Sequence, residues 1–241
     1  MKYNFLNLPK ALICSNKLDK KLIYLIESLG IKYIPSINNL NVNKNIMDHP
    51  DISIFELKKN NFLIAENLFL KYENLLKDYD LQLIRDNEDF SESYPNDSFL
   101  NVFKFQKYYL HTDKSSKILD KLMKNMSFKK LITKQGYSNC SCLNINDNIV
   151  ITEDYSITKI LNKENIKFLL VNKGEIKLPG FNYGFIGGSG IQLSDKLFLF
   201  SGNIKKLSYY DNLISILQKN ELEPIYPDID IVDFGGFVPI Y

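Results

Sequence analysis

The sequence predicts an α/β fold: a five-bladed, pseudo-fivefold propeller of ββαβ units, closed by its N- and C-terminal segments. Three observations predict it. A strand, a second strand, an amphipathic helix and a third strand recur at a spacing of about 41 to 49 residues, a period that marks closed or stacked arrays. Every second strand is a short continuous apolar run, as expected for a strand covered on both faces. The chain ends also complement one another. The C-terminus carries a lone first strand and the N-terminus a strand–helix–strand, so joining them removes a free sheet edge.

The units are placed at 231–241 with 9–36, then at 49–85, 94–133, 136–172 and 182–227, in one domain over 1–241. Second strands are read at 10–15, 61–66, 107–113, 148–154 and 196–202. A helical pattern follows each. In 17–30, Leu18, Leu22, Leu25, Ile26 and Leu29 fall at helical spacing and Gly30 suits the C-terminal cap. Further helices are expected in 67–79, 114–126, 156–165 and 207–220, with Asp113, Asp154 and Ser208 as N-caps. Third strands are read at 31–36, 81–85, 128–133, 166–171 and 222–227. First strands are expected within 49–55, 94–103, 136–145, 182–193 and 233–241. The Asn-rich stretch 37–48 is a polar connector.

Composition limits the function classes. Of 241 residues, 45% are hydrophobic and 24% charged, as in an ordinary folded protein. The 30 basic and 28 acidic residues are interspersed and leave a net charge of +2, which argues against nucleic acid as the main ligand. No apolar run approaches the roughly 18 residues that a membrane span needs. The first 16 residues lack the pattern of a secretory leader, so a cytoplasmic location is expected. With three cysteines and two histidines, neither a disulfide framework nor a structural zinc is expected, and no cofactor is called for. Abundant Asn and Lys beside an absence of Trp suggests AT-rich bacterial coding. The oligomeric state is left open.

If the units are related by rotation, equivalent positions of the first strands face one axis. His49 and Asp51, then Asp97 and Asn101, then Cys140, Ser141 and Cys142, then Gly188 and Ser189, then Asp233 would meet there. A thiol needs a neighbouring His or cation to become a nucleophilic thiolate. His49 could supply that group. Cys140 and Cys142 share a strand face by alternation, so periodicity leaves the choice between them open. Each also has an ordinary alternative as a small buried residue. His49-Pro50-Asp51 could instead be a simple strand entry, and Asp97 a turn residue after Tyr94-Pro95. His111, within an apolar run, reads as a packed residue. The glycines around 187–190 lack the Lys-Ser/Thr of a phosphate-binding loop and are read as allowing close backbone approach.

The five-unit ββαβ pattern resembles the pentein, or guanidino-group-modifying enzyme (GME), superfamily over essentially the whole chain. The segments HPDISIF, QGYSNCS, NYGFIGGSG and DFGGFVPI are also similar to an uncharacterised clostridial family bearing the GME-fold label. Catalytic penteins attack a guanidinium or amidinium carbon with Cys, use His as general acid/base and hold the cation with paired carboxylates. The resemblance therefore implies Cys140 or Cys142 as nucleophile and His49 as proton shuttle. Asp51, Asp97, Asn101, Ser141, Gly188, Ser189 and Asp233 would bind a guanidine, amidine or amide in a central channel. Catalytic members carry the thiol in the last unit, after a Gly-Gly step. Here Gly235-Gly236 is followed by Phe237, Val238 and Pro239. Cys140 lies two units after His49, an offset similar to the family's, if the ring is rotated. The alternative is a non-catalytic pentein, either a binding module or a ligand sensor.

Overall fold

The structure is a computed structural model and describes residues 7–88, 91 and 94–241. It is a mixed α/β chain with five three-stranded sheets. The first sheet joins the chain ends: β15 (Phe237–Ile240) runs antiparallel to β1 (Ala11–Cys14), which is parallel to β2 (Lys32–Pro35) across helix α1 (Lys20–Ser28). The other four sheets repeat that plan. They are β3 (Ile54–Lys58), β4 (Asn61–Ala65) and β5 (Gln82–Asp86); β6 (Phe103–Phe105), β7 (Tyr108–His111) and β8 (Lys129–Ile132); β9 (Cys142–Ile145), β10 (Ile149–Thr152) and β11 (Lys167–Leu170); β12 (Gly190–Gln192), β13 (Leu197–Phe200) and β14 (Glu223–Ile225). Their crossovers contain α3 (Phe69–Leu75), α4 (Lys117–Asn125), α5 (Tyr155–Lys163) and α6 (Tyr210–Lys219). All the expected second strands, crossover helices and third strands are present, within a few residues of the boundaries read from the sequence.

The second strands are apolar without interruption because alternate residues serve two different cores. Leu12 and Cys14 pack with Leu197 and Leu199 of the fifth sheet, whereas Ala11 and Ile13 pack with Phe62 and Ile64 of the second. Leu63 and Ala65 then meet Tyr109, Leu110 meets Val150, and Ile151 meets Phe198 and Phe200. Each of the five apolar clusters is thus shared by two successive units. Burial of such side chains at roughly 25 cal/mol per Å² makes every unit depend on both neighbours. Polar contacts repeat the pattern. Lys104 donates to the carbonyls of Glu56 (2.8 Å) and Leu57 (3.0 Å), and Asn60 exchanges bonds with the backbone of Tyr241 (both 2.9 Å). The third strands are sheet edges and are the more exposed ones, with exposed ends and intermediate or buried middles.

The first strands start later than their sequence suggests. The stretch before β3 is a helical turn, α2 (Pro50–Ser53), because Pro50 suits the first helical position and Asp51 the first turn. Residues 137–141 form a turn before β9, and Gly187–Ser189 a single 3₁₀ turn before β12. Cys140 therefore lies on a turn and Cys142 on a strand, so the expectation that they share a strand face is corrected. Two caps differ as well. Ser116, not Asp113, caps α4 through the Leu119 N–H, while Ser208 binds the Glu175 carboxylate and leaves α6 without a side-chain cap. Asp154 caps α5 as expected, accepting from Ser156 (2.7 Å) and Ile157 (3.2 Å).

A cavity of about 310 Å³ is lined by all five first strands, among them Phe55, Lys104, Asn144, Gln192 and Val238. Among the described residues no helix is long and apolar enough to cross a membrane. Of the stretch read for a leader, residues 1–6 lie outside the described residues.

Candidate active site

The turns that precede the first strands carry the polar residues, and five of them converge. Cys140 is buried, and its Sγ lies 3.0 Å from Asp51 Oδ2 and 3.3 Å from Asn101 Nδ2. Asn101 also accepts from the backbone N–H of Asn139 (2.9 Å) and of Cys140 (3.3 Å), so one amide fixes both the turn and its thiol. The Cys140 carbonyl accepts from Gly188 N–H at 3.2 Å. Gly187 permits that approach, since a Cβ there would meet the carbonyls of Asn139, Cys140 and Cys142. Burial, then the charges of Asp51 and Asp233, push the Cys140 thiol well above its ordinary range. No Lys or Arg stands among the described residues lining the cavity onto which that thiol opens, so nothing there offsets the shift toward the protonated form.

Asp51 accepts from Asn139 Nδ2 at 3.0 Å, its backbone N–H donates to Gly235 (3.3 Å), and its Oδ1 has no hydrogen-bond partner. Asp233 accepts from Gly235 N–H (2.9 Å) through one oxygen and from Phe185 N–H (3.0 Å) through the other. Burial raises both carboxyls to about 6. Hydrogen bonds from Cys140 and Asn139 oppose the shift at Asp51, and the His49 charge opposes it at Asp233. His49 itself is pulled below its ordinary range by burial, against the pull of Asp233 and Asp48. Gly235, at φ +69°, lets the chain pass directly over His49, where a Cβ would collide with the His49 Cβ.

One ligating atom each of His49, Asp51 and Cys140 lies within 4.8 Å of the others. An imidazole, a carboxylate and a thiol at that separation could share one divalent ion. They are equally the base, the anion and the nucleophile of a thiol-dependent reaction. His49, Cys140 and Asp233 open into a second cavity of about 260 Å³, whereas Asp51 lines the 310 Å³ cavity between the first strands. The cluster thus divides the two spaces.

The remaining candidates fall around this centre. Cys142 joins the apolar cluster of Val150, Ile157 and Leu161 and lines the 310 Å³ cavity, not the 260 Å³ cavity onto which Cys140 opens. Asp97 is one layer back and accepts from the Tyr137 hydroxyl (2.5 Å), and it is Tyr137 that lines the 260 Å³ cavity. Ser141 is buried, with its carbonyl bonded to Thr152 Oγ1 (2.7 Å) and its hydroxyl unpartnered. Gly188 lies against Asp233, whose carboxylate occupies the place of a Cβ, and the Ser189 hydroxyl closes its own turn on Ile186 (2.8 Å). His111 is a packed residue: Nδ1 accepts from Thr112 N–H (2.5 Å), Nε2 bonds Ser98 carbonyl (2.7 Å), and burial lowers it to about 4.

Two residues were not anticipated. Asn139 orients Asp51, and its only sequence signal is adjacency to Cys140. Glu153 is buried at the end of β10, with one oxygen accepting from Ile186 N–H (2.9 Å) and the other unpartnered. Burial, aided by the Asp233 charge, raises it to about 8. In the sequence it is masked by its neighbour Asp154, which has an evident capping role.

Five ββαβ units around such a centre define the class: this is the pentein fold, seen in guanidino-group hydrolases and amidinotransferases. The chain is similar to a dimethylarginine dimethylaminohydrolase of Pseudomonas aeruginosa, a Cys-to-Ser variant complexed with citrulline, at 7% identity and TM-score 0.55, covering 91% of this chain and 92% of that one. It is similar to SxtG, an amidinotransferase of the saxitoxin pathway from Microseira wollei, at 10% identity and TM-score 0.56 (98% and 95% covered). It is also similar to the agmatine deiminase of C. jejuni at 11% identity and TM-score 0.56 (98% and 95% covered). At those identities the likeness is one of fold. No curated protein sequence matches. The chain belongs to the family described as "Family of unknown function (DUF6873)", which matches residues 13–238.

Proposed function

We propose that this chain binds a small guanidinium- or amidinium-bearing molecule beside Cys140 and hydrolyses it, or transfers its amidino group, through that thiol. The observation that carries the reading is the pair of buried carboxyls beside Cys140 and His49: Asp233 on the 260 Å³ cavity, which has no Lys or Arg among its described lining residues, and Asp51 in contact with the Cys140 thiol from the side of the 310 Å³ cavity. Two buried anions without a countercharge are costly, and a planar cation with several N–H donors would relieve both at once. The unpartnered Asp51 Oδ1 is one vacant acceptor for it.

The same cation would switch on the thiol. Its charge works against the burial and the anions that favour the protonated Cys140, so the proton leaves to His49 as the cation arrives. The thiolate attacks the central carbon, and the C–S bond forms as the C=N π pair moves to nitrogen. His49 returns the proton to the departing amine as the C–N bond breaks, leaving a thiouronium on Cys140. His49 then takes a proton from water, whose oxygen attacks the same carbon, and the C–S bond breaks to give a urea and the free thiol. In a transferase the acceptor is an amine instead of water.

This reading treats the chain as one domain whose five sheets close into a pseudo-fivefold propeller, with a small molecule as its partner. It also treats the site as rotated relative to catalytic penteins. The Gly235-Gly236 step supplies the floor under His49, and the thiol comes from the unit two places after His49. The 3.0 Å contact between Cys140 and Asp51 supports that arrangement. A sensor that binds the cation without turnover is the second reading, favoured by the protonated state of the resting Cys140. Turnover of a panel of guanidines and amidines, followed as ammonia or ureido product, decides between them. Activity lost in Cys140→Ser supports the enzyme. Calorimetric binding without product supports the sensor, and activity that survives Cys140→Ser sinks the proposal.

A further inference from the structure

The walls of the 260 Å³ cavity specify the part of the ligand that does not react. Apart from His49, Cys140, Asp233, Asn182 and the Tyr137 edge, they are apolar: Ile46, Ile52, Leu178, Phe181, Tyr183 and Phe185. Tyr183 and Phe185 stand edge to face with centroids 6.0 Å apart, and Phe181 and Tyr183 remain 44% and 36% exposed at the mouth. Large apolar side chains left open to water around a site with the Asp233 carboxyl in its wall, and Asp51 behind Cys140, are suited to a ligand that is cationic at one end and apolar along its length. The cavity lies at the small end of the range for ligand sites, so the tail is short.

Resting on the guanidinium/amidinium reading above, we propose that the substrate is a monocation with a short neutral apolar or aromatic tail, not an amino acid with a free α-carboxylate and not a diamine-type dication. An α-carboxylate would enter a space already holding Asp233, with Asp51 just behind Cys140, and would shed its water against Phe181, Tyr183 and Leu178 with no Lys or Arg among the described lining residues. Loss of hydration without a partner is the strongest discrimination a pocket can exert against a charged group. A second ammonium at the far end would meet mainly apolar walls and lose its water with only neutral acceptors, Asn182 and the tyrosine hydroxyls, and no second carboxylate among the described lining residues. An arylalkyl tail instead replaces water on the aromatic faces.

The test measures binding by calorimetry to the Cys140→Ser variant, which retains the pocket and arrests turnover, with methylguanidine, phenethylguanidine, arginine and agmatine as probes. Methylguanidine reports the head group alone. The expected order is phenethylguanidine tightest, at least about tenfold ahead of arginine and agmatine. Phe181→Ala should reduce the ratio of phenethylguanidine to methylguanidine affinity by a similar factor. Arginine or agmatine binding as well as phenethylguanidine, while methylguanidine binds, would overturn the tail assignment and leave the head-group reading standing. If a folded protein binds none of the four, including methylguanidine at high concentration, both readings fall.

Discussion

Cys140 Sγ and Asp51 Oδ2 lie 3.0 Å apart although 89 positions separate them in the chain. The thiol donates to the carboxylate, and burial first, then the charge of that carboxylate, favour the protonated thiol. That mutual hold makes the resting site unreactive and gives an incoming cation something to release.

Asp51→Asn should therefore uncouple reactivity from function. Removing the anion lowers the Cys140 pKa, so alkylation of Cys140 by iodoacetamide at pH 8, read by peptide mass spectrometry, becomes faster than in the parent protein. Turnover of a guanidine falls by about 10²- to 10³-fold, as expected for the loss of a group that stabilises charge at the reacting centre. Slower or unchanged alkylation would contradict the geometry.

The two neighbouring thiols should separate cleanly. Cys142→Ala removes a small buried group from the cluster of Val150 and Ile157 and should cost about 1–2 kcal/mol in urea unfolding while preserving ligand binding. Cys140→Ala should abolish turnover with little loss of fold. Reversal of that pattern, with Cys142 needed for activity, would place the nucleophile on β9.

Stability should fall as pH rises from about 4 to 8. Asp51 and Asp233 have folded pKa values raised to about 6 and Glu153 to about 8. Between the unfolded and folded values the native state holds more protons than the unfolded chain, so this stabilisation is complete below the unfolded pKa and is lost as pH climbs through the folded one. Shifts of this size correspond to a few kcal/mol for each group, at about 1.4 kcal/mol per pKa unit, and are offset in part below about pH 6.5 by His49 and His111, whose lowered values act with the opposite sign. Thermal unfolding at pH 5 and pH 8 measures it, and Glu153→Gln should remove the part of the decline between about 6 and 8. A cationic ligand should bind more tightly as pH rises from 5 to 8, because it meets ionised carboxylates. A midpoint that rises with pH over this window would refute the assignment.

Gly188→Ala should damage the site without unfolding the protein. Its Cβ would occupy the place of the Asp233 carboxylate and push it off the Gly235 and Phe185 N–H groups, reducing affinity for a guanidinium probe by more than about tenfold. Gly174→Ala is the control. Gly174 has φ +89° but open space around it, so that variant should lose about 1 kcal/mol of stability and bind normally.

Much of the architecture was legible in the sequence, and the reason is local. The second strands serve a core on each face, so they read as unbroken apolar runs, and the crossover helices carry one buried stripe each. The first strands were harder. Pro50, the Ser138-Asn139 turn and the Gly187-Gly188 step each bend the chain just before its strand. These departures from an extended path depend on what the turn packs against, as Gly187 does against the carbonyls of Asn139 and Cys140.

The sequence by itself determined the five-unit repeat and the short set of polar residues, His49, Asp51, Cys140 and Asp233 among them, from which a site could be built. Periodicity of apolar residues is written in neighbouring positions, and chemical type in single ones. Only the tertiary structure set Cys140 rather than Cys142 against Asp51, put Asp97 behind Tyr137, brought Asn139 onto Asp51 and Glu153 onto the Ile186 N–H, and opened the Cys140 thiol toward Phe181 and Tyr183 rather than into the space between the first strands. Those outcomes rest on contacts between units scores of residues apart and on burial that shifts every carboxyl at the centre. Neither is encoded in any one segment of the chain.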